Sequence, residues 1–142
     1  MNYFVASRWS NMKQVQYLTE NLHSLGHEIF SFVDDKRNFV PRKELEQPAK
    51  TFDAGDDWQT RPVLKEMFAK DTQGIANCDV FVLLLPAGET SHIEAGIASG
   101  LSKHLVLIGQ PEQVKSHYLI FNEWHKTIEA YITSIREKKP AA

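Results

Sequence analysis

Two near-continuous apolar runs stand near the middle of the chain, at residues 79–85 and 104–109. Apolar side chains at almost every position are typical of strands that are covered on both faces, as in parallel sheets. The connection between the two runs is long enough for one crossover helix and too long for a hairpin. The pattern therefore predicts a βαβ unit with a right-handed crossover.

The remaining apolar positions predict further strands and helices in alternation. Short apolar runs indicate strands at 2–6, 27–33 and 118–121, and helical spacing indicates helices at 11–25, 60–75 and 122–136. We expect a single α/β domain over residues 1–142, a three-layer α/β/α sandwich of the flavodoxin or Rossmann-like kind. Its five-stranded, mainly parallel sheet is expected in the order 2-1-3-4-5. A long irregular loop is predicted at 34–59 and a frayed tail at 138–142.

Composition and charge exclude several classes of partner. The formal net charge of -2 gives no electrostatic reason to expect a nucleic acid polymer or an anionic membrane as a partner. A single cysteine, Cys78, rules out a disulfide framework and favours a reducing compartment, with Cys78 as a small core residue. No apolar run approaches the length of a membrane span and no signal peptide is visible, so a cytoplasmic protein is predicted.

Glu94 is expected about one turn into the helix that follows the first apolar run. Open α/β sheets bind their ligands at the carboxyl ends of the strands, which is where this residue is expected. A carboxylate held there suits a nucleophile or a general base. An acidic residue in the first turns of a helix also stabilises the helix dipole, and position alone leaves both interpretations open.

The first predicted strand is joined to its helix by the loop Ser7-Arg8-Trp9-Ser10-Asn11. This loop lacks the glycines of a dinucleotide-binding turn, so a nicotinamide cofactor is not expected. Its hydroxyls, guanidinium and backbone amides suit an anion or sugar hydroxyls, and Ser7, Arg8, Trp9 and Ser10 are predicted to bind substrate. Ser10 or Asn11 alternatively caps the following helix.

Aromatic and acidic residues are interspersed in the predicted 34–59 loop. Trp58 stands beside Asp56 and Asp57, a combination suited to stacking on a flat ring and hydrogen-bonding its edge. The alternative is a lid whose aromatic side chains attach it to the core. Trp58 is the residue of this loop that we expect to contact substrate.

Metal ions and cofactors are not predicted. The six histidines are scattered without the spacing of metal ligands. His92-Ile-Glu94 is similar to the H-x-E of zinc deaminases, but the two cysteines that complete that motif are missing. We expect His92 either to line the substrate pocket or to cap its helix.

Three motifs spread along the chain carry a family resemblance. They are Tyr3-Phe-Val-Ala, Asp71-x-x-Gly-Ile, and Glu94-Ala-Gly-Ile-Ala with the following apolar strand. Together they resemble the nucleoside 2-deoxyribosyltransferase superfamily, which also contains nucleoside 5'-monophosphate N-glycosidases. The resemblance covers the chain except the predicted 34–59 loop.

The resemblance implies catalytic roles for three residues. Glu94 matches the nucleophile that attacks the anomeric carbon and forms a glycosyl-enzyme ester. Asp71 matches the carboxylate that handles the proton of the departing base. Tyr3 matches the hydroxyl that orients the nucleophile.

The resemblance also implies a pocket around the nucleophile, with one departure from the family pattern. Gly88, Ser91 and His92 belong to the matching loop and helix start, and Asn122 is implied to reach the sugar of a neighbouring subunit, so a homodimer or larger assembly is expected. Gly88 stands six residues before Glu94, where the transferases carry an acidic residue and the monophosphate hydrolases a serine. The reaction, transfer or hydrolysis, therefore stays open. The group at the 5' position, a free hydroxyl or a phosphate, also stays open, although Arg8 favours phosphate.

The predicted function is cleavage or exchange of the N-glycosidic bond of a small-molecule nucleoside, deoxynucleoside or 5'-monophosphate. The reaction is either transfer to a second base or hydrolysis. The alternative from another class is a non-catalytic module that binds or senses nucleotides, because related folds keep a pocket after chemistry is lost.

Overall fold

The computed structural model describes residues 1–31 and 57–138. Its strands are β1 Asn2–Ala6, β2 Glu28–Ser31, β3 Val80–Leu84, β4 His104–Ile108 and β5 Glu123–His125. The α-helices in these residues are α1 Met12–Ser24, α2 Pro62–Asn77, α3 Glu89–Gly100 and α4 Ile128–Lys138. None of these helices is both long enough and apolar enough to cross a membrane. Most of the predicted 34–59 loop, and the predicted tail beyond residue 138, lie outside the described residues.

The five strands form one parallel sheet in the order β2-β1-β3-β4-β5, which confirms the predicted α/β topology. Each parallel connection requires a crossover, and the helices that supply these crossovers cover both faces. Helices α1 and α4 pack on one face, and α2 and α3 on the other. The carboxyl ends of β1, β3 and β4 therefore meet at one edge.

Successive side chains of each strand point to opposite faces of the sheet, and this divides the core into two layers. The layer beneath α1 and α4 contains Tyr3, Val5, Val80, Val82, Leu84, Val106 and Ile108 from the sheet. The layer beneath α2 and α3 contains Phe4, Ala6, Phe81, Leu83, Leu105 and Leu107. Cys78 is buried in the second layer, and burial raises the pKa of its thiol, as expected for a core cysteine.

The last strand and helix differ from their predicted positions. Residues 116–120 form a 3-10 turn, and the fifth strand is the three-residue β5 at Glu123–His125. Tyr118, Ile120 and Phe121 pack on the layer beneath α3, so their apolar character reflects burial in this layer and not strand pairing. Trp124 lies on β5 and is 54% exposed, so the prediction that the last helix begins at residue 122 was wrong.

One ionic cluster joins β4, β5 and the end of α4. The carboxylate of Glu123 accepts hydrogen bonds from His104 Nε2 and from His125 Nε2, the latter at 3.0 Å, and Lys138 Nζ lies 3.5 Å away. Burial acts to raise the pKa of Glu123, but the two histidine hydrogen bonds and Lys138 outweigh it and hold the pKa below its ordinary value.

We expect Glu123→Gln to lower the free energy of unfolding by about 1 kcal/mol near neutral pH. Because the folded-state pKa is depressed, the carboxylate stabilises the protein above its unfolded-state pKa, and this contribution is lost as pH falls through the folded-state pKa. Urea unfolding at about pH 7 and about pH 3 checks this. Glu66→Gln, on the exposed side of α2, is the matched control. A deficit of the same size at both pH values would contradict the assignment.

Candidate functional site

A buried stripe of small side chains fixes the orientation of helix α3 about its own axis on the sheet. Ser91, Ala95 and Ala98 are its buried residues, and they face β3 and β4. Added Cβ atoms at Gly96 and Gly100 would meet nothing within 4 Å, so these glycines face outward and do not bring the helix closer to the sheet. The stripe therefore determines where every other side chain of α3 points.

Glu94 and His92 lie on opposite flanks of this stripe. At about 100° per residue, Glu94 lies roughly 65° to one side of the stripe and His92 roughly 95° to the other. His92 contacts Tyr118 in the turn beside β5. Helix α2 packs on α3 from the β1 side, so the Glu94 flank faces α2.

Asp71 lies on the side of α2 that faces the sheet. The buried residues of this helix are Gly74 and Ile75, and Asp71 occupies the same stripe one turn earlier. Asp71 and Glu94 are both half-buried. The structure thus brings the two predicted carboxylates to the same face of the sheet, on neighbouring helices.

Hydrogen bonds join the loop after β1 to the loop after β3. Ser7 Oγ donates to Leu84 O at 2.7 Å and accepts from Asn11 Nδ2 at 3.0 Å. Ser91 Oγ donates to Ser7 O at 3.1 Å. Ser7 and Ser91 are both buried, so the structure uses these hydroxyls to build the edge of the sheet, although they were predicted to contact substrate.

A cleft of about 560 Å³ opens at this edge, on the His92 flank of α3. Its walls are the loops that follow β1, β3 and β4, and it is lined by Arg8, Leu85, Pro86, Ala87, His92, Gln110, Pro111, Glu112, Gln113, Lys115 and Tyr118. The volume is within the range of small-molecule sites. Gly109, with φ +113°, turns the chain at the end of β4, where a side chain would collide with Leu85.

The imidazole of His92 is fixed at both nitrogens. Nδ1 lies 2.7 Å from Gly88 O and Nε2 lies 2.9 Å from Tyr118 Oη. The Tyr118 ring stacks on Phe121, and its carbonyl accepts a hydrogen bond from Trp124 Nε1 at 3.1 Å. His92 therefore links the first turn of α3 to the far wall of the cleft.

Arg8, Trp9, Ser10 and Gly88, which were also predicted to bind substrate, belong to the loops after β1 and β3 at the same edge. Arg8 is exposed and lines the cleft, and Trp9 and Ser10 form a 3-10 turn next to it. Trp58 is 47% exposed in a turn just before α2. Gly88 is the residue before α3, in an extended conformation, and no described atom lies within 4 Å of a Cβ placed there.

Sequence reasoning missed the wall contributed by the segment after β4. Lys115 and Tyr118 line the cleft, but residues 118–121 were predicted to be a strand. This wall could have been predicted, because loops that follow parallel strands converge at one edge of the sheet. The loop after β4 was therefore expected at the same edge as the loops after β1 and β3.

Three solved structures resemble this chain over nearly its whole length. The CMP N-glycosidase BcmB of Clostridium botulinum matches with a TM-score of 0.61 and 16% identity, covering 96% of this chain and 99% of that one. A 2-deoxyribosyltransferase from Bacillus psychrosaccharolyticus matches with a TM-score of 0.60 and 16% identity, over 93% and 90% of the two chains. This chain therefore shares the fold of these two enzymes.

A conserved protein from Enterococcus faecalis V583 also shares this fold, with a TM-score of 0.61 and 13% identity over 97% of this chain and 98% of that one. No family model and no curated protein matches the sequence. At these identities the comparisons establish the fold. The reaction has to be argued from the residues of this chain.

The superfamily resemblance implied that Tyr3 orients Glu94, but the structure places Tyr3 elsewhere. Tyr3 is buried beneath α1 and α4, on the face opposite α3. It pairs with Val80, the first residue of β3, so it also lies toward the amino ends of the strands. Its hydroxyl is 2.9 Å from that of Tyr131, and burial raises the pKa of both phenols.

Asn122, implied to reach a neighbouring subunit's sugar, has a structural role within this chain. Its Oδ1 accepts a hydrogen bond from Leu105 N at 2.8 Å, and its own N–H donates to Leu105 O. These bonds begin the pairing of β5 with β4 near the amino end of the sheet. A contribution to a second subunit stays a prediction.

We expect Tyr3→Phe to destabilise the protein by about 1–3 kcal/mol, because it leaves the buried Tyr131 hydroxyl without its partner. Any catalytic rate should be unchanged, because Tyr3 does not face α3. Chemical denaturation and a rate assay separate the two effects, with Tyr17→Phe on the exposed side of α1 as control. A large loss of rate with unchanged stability would restore the orienting role.

Proposed function

We propose that this protein cleaves the N-glycosidic bond of a nucleoside or nucleoside 5'-monophosphate through a covalent intermediate on Glu94. The observation that carries the proposal is the placement of Glu94 and Asp71 on adjoining helices of one sheet face, in a fold shared with a CMP N-glycosidase and a 2-deoxyribosyltransferase. Two carboxyl groups with different duties are what glycosidic bond cleavage requires.

The first step uses both groups. A carboxylate oxygen of Glu94 attacks the anomeric carbon, and the carbon–nitrogen bond breaks with its electron pair moving to the base nitrogen. Asp71 delivers a proton to the base, which leaves neutral. The half-buried position of Glu94 favours this role, because partial exclusion of water strengthens the attraction between an anion and a developing oxocarbenium ion.

Asp71 occupies a position where its helix pattern predicts an apolar side chain. It stands one turn before the buried Gly74 and Ile75, in the stripe that faces the sheet. A half-buried carboxyl group at an otherwise apolar position is a candidate for proton exchange with substrate.

The second step releases the sugar from Glu94. Hydrolysis uses water, and transfer uses a second base, each attacking the anomeric carbon of the ester while Asp71 accepts the proton. Gly88 offers no side chain to hold a second base, and no described atom fills the space beside it. Because no side chain at this position can orient a second base, water is the acceptor that we propose, and hydrolysis is the proposed reaction.

We expect Glu94→Gln to reduce base release by roughly a thousandfold or more, because an amide is a poor nucleophile. Free base is measured by chromatography from nucleosides, deoxynucleosides and 5'-monophosphates, with and without a second base. Glu20→Gln on α1 is the control for the loss of one surface carboxylate. Release that requires the second base would identify a transferase. Tight binding of a nucleoside or nucleotide without release of base from any of them would indicate a non-catalytic binding module instead of an enzyme.

We expect Asp71→Asn to slow release of a purine or pyrimidine by about a hundredfold. Release of p-nitrophenolate from a p-nitrophenyl riboside should fall much less, because that leaving group departs without a proton. The ratio of the two rates isolates proton donation from positioning of the sugar. Equal losses on both substrates would show that Asp71 does not protonate the leaving group.

A further inference from the structure

Helix α2 is attached to the sheet mainly near its carboxyl end. Of its 16 residues only Gly74 and Ile75 are buried. Asp71 precedes Gly74 by three residues, which is about 4.5 Å along the helix axis. A crossover helix runs antiparallel to the strands that it joins, so Asp71 lies on the side of Gly74 that is nearer the carboxyl edge of the sheet. The position of Asp71 therefore depends on how α2 rests on the sheet at Gly74.

A row of three phenyl rings lies on the face of the sheet that α2 covers. Phe30 on β2 and Phe81 on β3 are the register partners of Phe4 on β1. The ring centroids are 5.1 Å apart for Phe4 and Phe30 and 5.3 Å apart for Phe4 and Phe81, and both pairs are stacked. Because Phe4 and Phe81 are buried, the Phe30 ring cannot retreat toward β1.

The Phe30 ring lies directly against the backbone of α2 at Gly74. A Cβ atom placed on Gly74 would be 2.8 Å from Cδ1 and Cε1 of the ring and 3.0 Å from Cγ. Carbon atoms in favourable contact are about 3.5–4.0 Å apart, so a side chain here would require a shift of roughly 1 Å. Alanine is a better helix former than glycine, so a glycine inside a helix needs a local reason. The close approach of the ring is that reason.

We propose that Gly74 is a positioning residue for Asp71, because its lack of a side chain lets α2 rest on the Phe30 ring at the depth that brings Asp71 to the candidate site. The orientation of α3 is fixed separately by its own small side chains, so the placement of Asp71 relative to Glu94 depends on α2. The inference rests on the proposed function for the role of Asp71 as proton donor. A displacement of about 1 Å can lower a catalytic rate about a hundredfold.

Gly74→Ala tests this proposal. We expect it to slow release of a purine or pyrimidine by about ten- to a hundredfold, because the added methyl group displaces Asp71. Release of p-nitrophenolate from a p-nitrophenyl riboside should fall much less, because that leaving group needs no proton. Gly100→Ala is the matched control, since a Cβ atom there meets nothing within 4 Å.

Two outcomes of this assay would overturn the proposal. Equal losses on both substrates would show a general disturbance of the site. Unchanged rates would show that the Phe30 ring turns into the neighbouring cleft of about 330 Å³, which it lines together with Gly74, and that α2 keeps its place.

Variants at Phe30 and Asp71 separate positioning from a general loss of stability. Phe30→Leu alone removes the support for α2 and should lower the ratio of base release to p-nitrophenolate release several-fold, a test that remains if Gly74→Ala does not fold. Phe30→Leu combined with Gly74→Ala should release base several-fold faster than Gly74→Ala, because the methyl group then has room. In an Asp71→Asn background Gly74→Ala should cause no further loss. Absence of recovery, or additive losses, would contradict the proposal.

A measurement without substrate separates this inference from the proposed chemistry. The carboxyl-carbon NMR signal of Asp71 should move in Gly74→Ala, return toward its wild-type position when Phe30→Leu is added, and stay unchanged in Gly100→Ala. If wild-type protein releases no base but the signal behaves in this way, the proposed function fails and the positioning of Asp71 by Gly74 stands. The same Asp71 signal in Gly74→Ala and wild type would overturn the inference.

Discussion

The packing of Ser91, Ala95 and Ala98 against β3 and β4 is the constraint on which the candidate site depends. A helix that packs on a sheet can rotate about its own axis only as far as its apolar stripe stays buried, and here the stripe is narrow and made of small side chains. Because the rotation of α3 is fixed in this way, Glu94 must face α2 and His92 must face the segment after β4. One helix therefore contributes side chains to two neighbouring regions at the same edge of the sheet.

The polar residues at this edge divide into two groups with different duties. Ser7, Asn11 and Ser91 are buried and hydrogen-bond to backbone or to each other, which joins the loops after β1 and β3. Arg8 and His92 instead line the cleft. Joining the loops satisfies buried polar groups that would otherwise destabilise the fold, and it holds the cleft-lining residues on a rigid support.

The strongest sequence signals gave the sheet and its order, because two fully buried strands and regular helical spacing depend little on context. The fifth strand was misplaced for a physical reason. Tyr118, Ile120 and Phe121 are apolar because they cover the core beside α3, whereas β5 is a short edge strand with polar residues such as Glu123 and His125. An apolar run shows that residues are buried without showing how their backbone is paired.

At the site, the sequence pattern singled out Glu94 and the Ser7–Ser10 loop, since each follows a predicted strand, and the family resemblance singled out Asp71. Only the tertiary structure showed that Tyr3 lies on the opposite face and that Tyr118 belongs to a cleft with His92 and Arg8. Local patterns record which face of an element is buried. They cannot record which distant segments share a face or an edge, because that depends on how the helices cross the sheet.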